Sequence, residues 1–491
     1  MKAAALTRTG DRRRWIALGV VCMAMLMNTL DGSVVNVALP VIQRDLHIAQ
    51  ANLTWIINAY LIAFGSFLLL AGRLGDLLGR KRVFLSGVTL FTFASLLCGL
   101  AQDQNFLIAA RFLQGLGGAV SSSVIIAMIV TEFPEPAERA KAMSAYIFVA
   151  VGGGSIGLLV GGLVTQVVNW HWIFFLNLPI GAVTVLLGRA LLEESEALGI
   201  DHGVDVLGSI TVTLALMVGI YGIVTTPDHG WGSMHTLTYG GVSVLLLAVF
   251  FALQARLANP IMPLRILRVP GLASTSLVRG LLATGLFSTF FLGALYLERV
   301  RGYSALRTGV AFLPLSLTVG VLSAGVTARL MSRFGARHVM LPGLVTSLAG
   351  LLLMARLGEH TTYFPGMFVA MIVLGLGVGT AFIPLLAIAM AQVPSADAGL
   401  ASGIVNVSMQ MSGAIGLAVL GTISTDHARS LVAGGDALPA ALTSGFQLSF
   451  LIGAACVAVG AVAAFFLLRT PPPSPVPASE PPKRTLALAE S

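Results

Sequence analysis

Asp31 and Arg111 are charged side chains set inside long apolar stretches of this 491-residue chain. A charge held away from water is expensive, and ionisable groups in such stretches usually serve function. Asp31 stands eight residues before the end of the first stretch, about 12 Å at the helical rise. A carboxyl there can take up and release a proton. It can instead face a water-filled mouth, or pair with an arginine that fixes helix packing. Arg111 stands five residues into the fourth stretch, about 7 Å from its end at the same rise, a depth from which it can reach Asp31. A guanidinium does not lose its proton, so Arg111 can tune an acid or order a network with Gln114, but cannot carry the proton. Snorkelling to the interface is the alternative.

Two further patterns carry physical content. In GRLGDLLGRKR, 72–82, Asp76 lies among Arg73, Arg80, Lys81 and Arg82, with Gly72, Gly75 and Gly79 where a short turn needs them. Asp76 can pair with those cations or with a helix N-terminus. Such a contact, formed in one state and broken in another, would be a gate. The cations alone also fit a purely topogenic role. Gly153, Gly157 and Gly161, spaced by four and followed by Gly162, line one helix face that lets a neighbour approach closely.

The elements that hold these residues follow from composition. The chain is 56% hydrophobic and 10% charged. Soluble domains carry about 25% charged residues, so an ordinary soluble enzyme is excluded. Fourteen apolar spans are expected, at 15–39, 53–71, 83–101, 106–129, 141–164, 172–191, 206–225, 237–255, 272–297, 308–328, 339–356, 365–390, 399–423 and 445–468. Their length requires helices, since barrel strands need only about 10 residues. With the N-terminus inside, 21 of the 29 Lys and Arg fall on inner segments and 6 on outer ones, with Arg111 and Arg279 in spans. Both termini are therefore expected in the cytoplasm.

The net charge of +8 is dispersed between the spans, which argues against nucleic acid as a partner. The cysteines, Cys22, Cys98 and Cys456, all lie in spans and read as free thiols. No nucleophile–base pair, metal cluster or G-K-[ST] phosphate loop is evident, so neither an enzyme nor an ATP-driven pump is expected. The first span is too long for a cleaved signal and reads as retained.

An internal repeat adds the plan. ARLMSRFGAR, 328–337, echoes 72–82: Leu74, Gly79 and Lys81 align with Leu330, Gly335 and Arg337, while Asp76 becomes Ser332. The offset of 256 residues fits two six-helix halves with two further helices between them. The expected organisation is a basic cytoplasmic tail at 1–14, a six-helix bundle at 15–192 and a connector with two inserted helices at 193–255. A cytoplasmic linker at 256–271, a second bundle at 272–468 and a disordered Pro-rich tail at 469–491 complete it.

With these motifs the chain resembles the major facilitator superfamily, and within it the 14-helix drug:proton antiporter family. LDGSVVNVALP (30–40), GRLGDLLGRKR (72–82), RFLQGLGGA (111–119) and GGSIGLLVGG (153–162) resemble its motifs in order. Leu77 replaces a usual basic residue, and Leu158 stands where the glycine motif usually has proline. The resemblance implies an all-α integral membrane fold of two six-helix bundles plus two extra central helices. It implies a proton-driven, alternating-access exporter of hydrophobic, often cationic drugs or antibiotics, without ATP or a bound cofactor. Asp31 and Arg111 would couple protons, with an organic cation competing for the Asp31 carboxylate. Gly72, Asp76, Gly79, Arg80 and Lys81 would gate; Gly153, Gly157, Gly161 and Gly162 would form the antiporter face. Asn28, Trp55, Asn58, Gln114, Asn406, Gln410, Phe287 and Phe290 would line the cavity. Lipid contact is the alternative for the phenylalanines, and Arg279, near the inner end of its span, can snorkel. The implied setting is a bacterial inner membrane, with the protein acting as a monomer. A transporter of one metabolite (siderophore, lipid or peptide) and a non-transporting sensor are the rival readings.

Overall fold

The computed structural model describes residues 2–48, 55–194, 199, 205–257, 260, 262, 264–394 and 397–468. Among the described residues every regular element is helical. The first bundle comprises α1 (Lys2–Asp45), α2 (Trp55–Leu78), α3 (Arg80–Gly99), α4 (Gln104–Glu132), α5 (Pro136–Val167) and α6, in two pieces, His171–Phe175 and Asn177–Leu191. A hairpin follows, α7 (Val206–Val224) and α8 (Met234–Arg256). The second bundle comprises α9 (Leu272–Leu295), α10 (Ala305–Val321), α11 (Ala336–Met354), α12 (Phe368–Met390), α13 (Ala398–Ala433) and α14 (Leu438–Leu467). Among the described residues twelve stretches are long and apolar enough to cross a membrane, and shorter apolar helices at Leu207–Ile223 and Leu306–Val321 lie at the expected spans 7 and 10.

The ends differ from expectation where a helix outlasts its apolar run. The backbone of α1 is helical from Lys2, through the expected N-terminal tail, and continues to Asp45, six residues beyond the predicted end. There the Asp45 carboxylate accepts from Trp170 Nε1 at 2.7 Å, anchoring the helix end to α6. The second bundle has a further departure. After α10 the chain widens over Leu322–Val326, with Gly325 at φ +117°, and resumes as a short helix, Thr327–Phe334. The C-terminal tail and most of the 193–203 connector lie outside the described residues.

The repeat predicted from sequence is a repeat of packing. α3 packs on α4, α2 on α4, α1 on α5 and α3 on α6; eight helices later α11 packs on α12, α10 on α12, α9 on α13 and α11 on α14. Helices in lipid lack a hydrophobic drive toward one another, so small residues that admit close contact decide which pairs form. At α3–α4 a side-chain carbon on Gly87 would strike the Ser121 backbone; at α11–α12 one on Gly350 would meet Leu374. The bundles meet where α5 lies on α10 and α2 on α13, an exchange that the pseudo-symmetry requires. The hairpin packs through α7 on both α2 and α13, covering that side of the seam.

The two copies of the loop motif also fold alike. Gly79 (φ +98°) and Gly335 (φ +81°) turn the chain at positive φ. Residues with a side chain rarely adopt that conformation. Lys81 Nζ then donates to Arg189 O (3.0 Å) and Leu192 O (2.7 Å) at the end of α6. Its counterpart Arg337 donates to Phe465 O (2.7 Å) near the end of α14. In each bundle a cation satisfies carbonyls that a helix end leaves without partners.

Candidate functional site

The polar centre of the first bundle is built from five helices. Arg111 of α4 donates from Nη1 to Asp31 Oδ2 of α1 and to Gln114 Oε1, each at 2.5 Å. Its Nε donates to Ile56 O of α2 at 3.1 Å. Gln114 Nε2 donates to Asp31 Oδ1 (2.8 Å) and to Ser95 Oγ of α3 (2.7 Å). Asn177 Nδ2 of α6 donates to Asp31 Oδ1 (3.2 Å) and Ser95 Oγ (3.3 Å). The guanidinium also lies 4.5 Å from the centre of the Tyr60 ring, a cation–π contact. Asp31 and Arg111 are each 1% exposed.

Arg111 therefore does not snorkel, and Asp31 does not open to a water-filled mouth in this conformation. The carboxylate receives three charge-assisted or amide bonds, so its ionised form is fully satisfied. Such an arrangement can hold a charge across the low-dielectric interior, or release its hold when Asp31 takes a proton. Asp31, Arg111 and Gln114 are legible from sequence. Ser95 and Asn177 are not, because neutral polar residues abound in these helices and only the fold brings these two onto Asp31.

The glycine face positions Asp31. A side-chain carbon on Gly153 would strike Thr29; on Gly157, Ser33 and the Leu30 carbonyl; on Gly161, the Val34 backbone. The three glycines thus bring α5 against the α1 segment that flanks Asp31. Gly162 is buried beside them. Leu158, in the usual proline place, is buried, and α5 runs through it as one unbroken helix.

A second polar chain crosses the seam. Asn28 Nδ2 donates to Ser122 Oγ of α4 at 2.8 Å, and Asn406 Nδ2 of α13 reaches Ser122 O at 3.5 Å. The side chain of Gln410, on the same α13, lies outside the described residues. Asn58 is half-buried on α2. Phe290 stacks on Phe312 of α10 with centroids 5.3 Å apart and faces Gly154 of α5, so it stands at the seam. Phe287 is 38% exposed and lies against Gly413 of α13.

Trp55 departs from its expected place. It packs on Tyr221 of α7 at 5.6 Å and lines a groove of about 680 Å³ between α2, α4 and the hairpin, rather than the Asp31 network. The first residue of α2 points toward the inserted helices, whose position the sequence did not reveal. Arg279, near enough to the inner end of its span to snorkel, is 2% exposed and does not.

In the loop motif, Arg80 donates to Asp76 Oδ1 from Nε (3.3 Å) and Nη2 (3.1 Å), and to Thr131 Oγ1 of α4 (2.7 Å). Asp76 is buried, and its Oδ2 has no partner among the described residues. It lies near enough to Asp397, the residue just before α13, to feel its charge. Gly72 abuts the Gly403 backbone of α13 at 3.8 Å from where its side chain would begin. Asp76 thus pairs within its own motif while facing a helix start of the other bundle.

A two-bundle helical fold with membrane-length spans, an internal repeat and an acid–arginine pair at the heart of one bundle has the plan of a membrane transporter. The Major Facilitator Superfamily model matches residues 21–328 and 315–490, and the chain belongs to that superfamily. It is 38% identical to the puromycin resistance protein pur8 of Streptomyces alboniger, covering 89% of this chain and 86% of that one. It is 35% identical to the uncharacterized MFS-type transporter EfpA of Mycobacterium tuberculosis, covering 92% and 87%. The cephamycin export protein CmcT of Amycolatopsis lactamdurans is 34% identical, with 83% and 84% covered. The crystal structure of the human organic anion transporter MFSD10 shares the fold, at a TM-score of 0.63 and 16% identity, over 91% of this chain and 99% of that one.

Proposed function

We propose that the protein is a proton-coupled exporter of hydrophobic drugs or antibiotics, including cationic ones, working by alternating access in a bacterial cytoplasmic membrane with both termini inside. The observation that carries the reading is the buried Asp31–Arg111–Gln114 network. Ionised Asp31 neutralises Arg111 inside the bundle. When Asp31 takes a proton, Arg111 keeps its charge and is left with Gln114 Oε1, the Ile56 carbonyl and the Tyr60 ring. The two protonation states therefore favour different packings of α1 against α4 and α6, and a proton gradient can bias them. The exporter half is supported by relatives named for puromycin resistance and cephamycin export, two chemically unlike compounds.

The test is transport in proteoliposomes under an imposed pH gradient. The probe is the ethyl ester of rhodamine B, a permanently cationic dye. Wild-type protein is expected to move it with the gradient, and Asp31→Asn to lose that movement. Equal movement by both would remove Asp31 from coupling. No movement by either would remove this dye class from the substrates.

A further inference from the structure

Arg279 is a second buried arginine, held unlike Arg111. It stands seven residues along α9, about 10 Å from that helix start at the helical rise. Its guanidinium lies 5.2 Å from the centre of the Phe382 ring of α12, and Nη2 lies 3.5 Å from the Met409 sulfur of α13. Among the described residues Nε and Nη1 have no partner, and no carboxylate pairs with the guanidinium. Thr275 and Ser276 come four and three residues earlier, on the same helical face. Both are buried, with hydroxyls that are unpartnered among the described residues. Tyr146, on α5 of the opposite bundle, is near enough to feel the arginine's charge. The helices that carry Phe382 and Met409 pack on α5 and α4 of that bundle, so the buried group lies near the seam between the bundles, not in lipid.

A buried charge without a counter-charge is costly, and arginine does not escape the cost by losing its proton. The compensating charge must then come from something that binds. The guanidinium fork fits a carboxylate in two parallel bonds, and the two unpartnered hydroxyls on its helical face are further donors. Phe382 and Met409 offer an apolar floor for the rest of such a molecule. We infer that Arg279, Thr275 and Ser276 form an anion subsite that holds the carboxylate of the exported compound. The inference rests on the exporter reading and adds a preference within its substrates: amphipathic compounds that carry an acid, zwitterions included, are held more tightly than their esters. A lipid phosphate has the same chemistry, but the seam between bundles favours a transported molecule.

The test uses rhodamine B, which has a free carboxylate, and its ethyl ester, which does not. Wild type, Arg279→Gln and Arg279→Lys are titrated with each dye by fluorescence anisotropy. They are held in nanodiscs of phosphatidylcholine alone or with phosphatidylglycerol added. Arg279→Gln is expected to weaken binding of the acid about tenfold, the worth of one charge-assisted bond, while changing the ester less than about twofold. Arg279→Lys keeps the charge but not the fork, so it should fall between. Weakening of both dyes alike, weakening of neither, or no saturable binding of the acid to wild type would overturn the proposal. Loss of the acid preference on adding phosphatidylglycerol, only where Arg279 is present, would assign the site to a lipid headgroup and overturn the substrate assignment. Gradient-driven movement of the ester tests export without this site, so the two readings fail separately.

Discussion

Asp31 accepts bonds from Arg111, Gln114 and Asn177, and those donors come from two different helices, so the carboxylate is at once a charge and a joint. Removing one member of a buried ion pair costs about 3–5 kcal/mol, because the survivor is left uncompensated. Asp31→Asn should therefore lower thermal stability in detergent as well as halt gradient-driven transport. Pairing it with Arg111→Gln separates the two effects. The double variant removes both charges and should recover most of the lost stability, as read by the melting temperature, yet stay uncoupled from the proton gradient. Recovery of coupled transport in the double variant would make the pair a packing device only. This residue pair was legible in the sequence because charges in apolar stretches are rare and expensive. Asn177 and Ser95 were not, since an uncharged polar residue in a helix has many ordinary explanations. Arg279 was not legible as a site for a related reason: sequence gives its depth, but not whether its helix face meets lipid or protein.

A helix can be recognised by its apolar run, yet what it touches is decided by small residues. Gly157 shows the difference. Its spacing from Gly153 and Gly161 predicted a close-packed face, and the structure shows that the partner is the Asp31 segment of α1. A methyl group at Gly157 would strike Ser33 and the Leu30 carbonyl, whereas one at Gly152 would meet only the far edge of Phe148 at 3.9 Å. Overpacking of this kind costs about 1–3 kcal/mol. Gly157→Ala should push α1 off α5, disturb the Asp31 network, and cut the transport rate several-fold with normal protein levels. Gly152→Ala should leave the rate near wild type. Equal rates in the two variants would mean that α1 and α5 do not need this contact. The hairpin marks where legibility ended at this scale. Its apolar runs were countable, but α7 and α8 carry no motif, so only the fold shows that α7, backed by α8, covers the α2–α13 seam and takes Trp55 away from the polar centre.

The pairing of α1 on α5 recurs as α9 on α13, and α5 on α10 recurs as α13 on α2, so the molecule has two equivalent seams around one axis. A transporter of this plan works by rocking one bundle against the other, and such motion must break contacts at the ends of these seams. The α2–α13 seam closes near the loop motif, where Gly72 meets the Gly403 backbone and Asp76 faces the start of α13. Neither glycine is crowded there: a side chain on Gly403 would meet nothing within 4 Å, and one on Gly72 would make only ordinary contacts. Cysteine therefore fits at both positions, with Cys456→Ser as background because that native thiol is only half-buried. Joining G72C and G403C with a short bis-thiosulfonate should arrest gradient-driven transport, and reduction of the same sample should restore it. The uncross-linked double variant supplies the reference rate, so any effect of losing the glycines is already counted. Transport that continues through the cross-linked protein would show that this end of the seam stays closed throughout the cycle. The moving contact would then have to be the equivalent seam, α5 against α10, where Gly309 presses on the Leu159 backbone and Gly320 on the Phe148 ring.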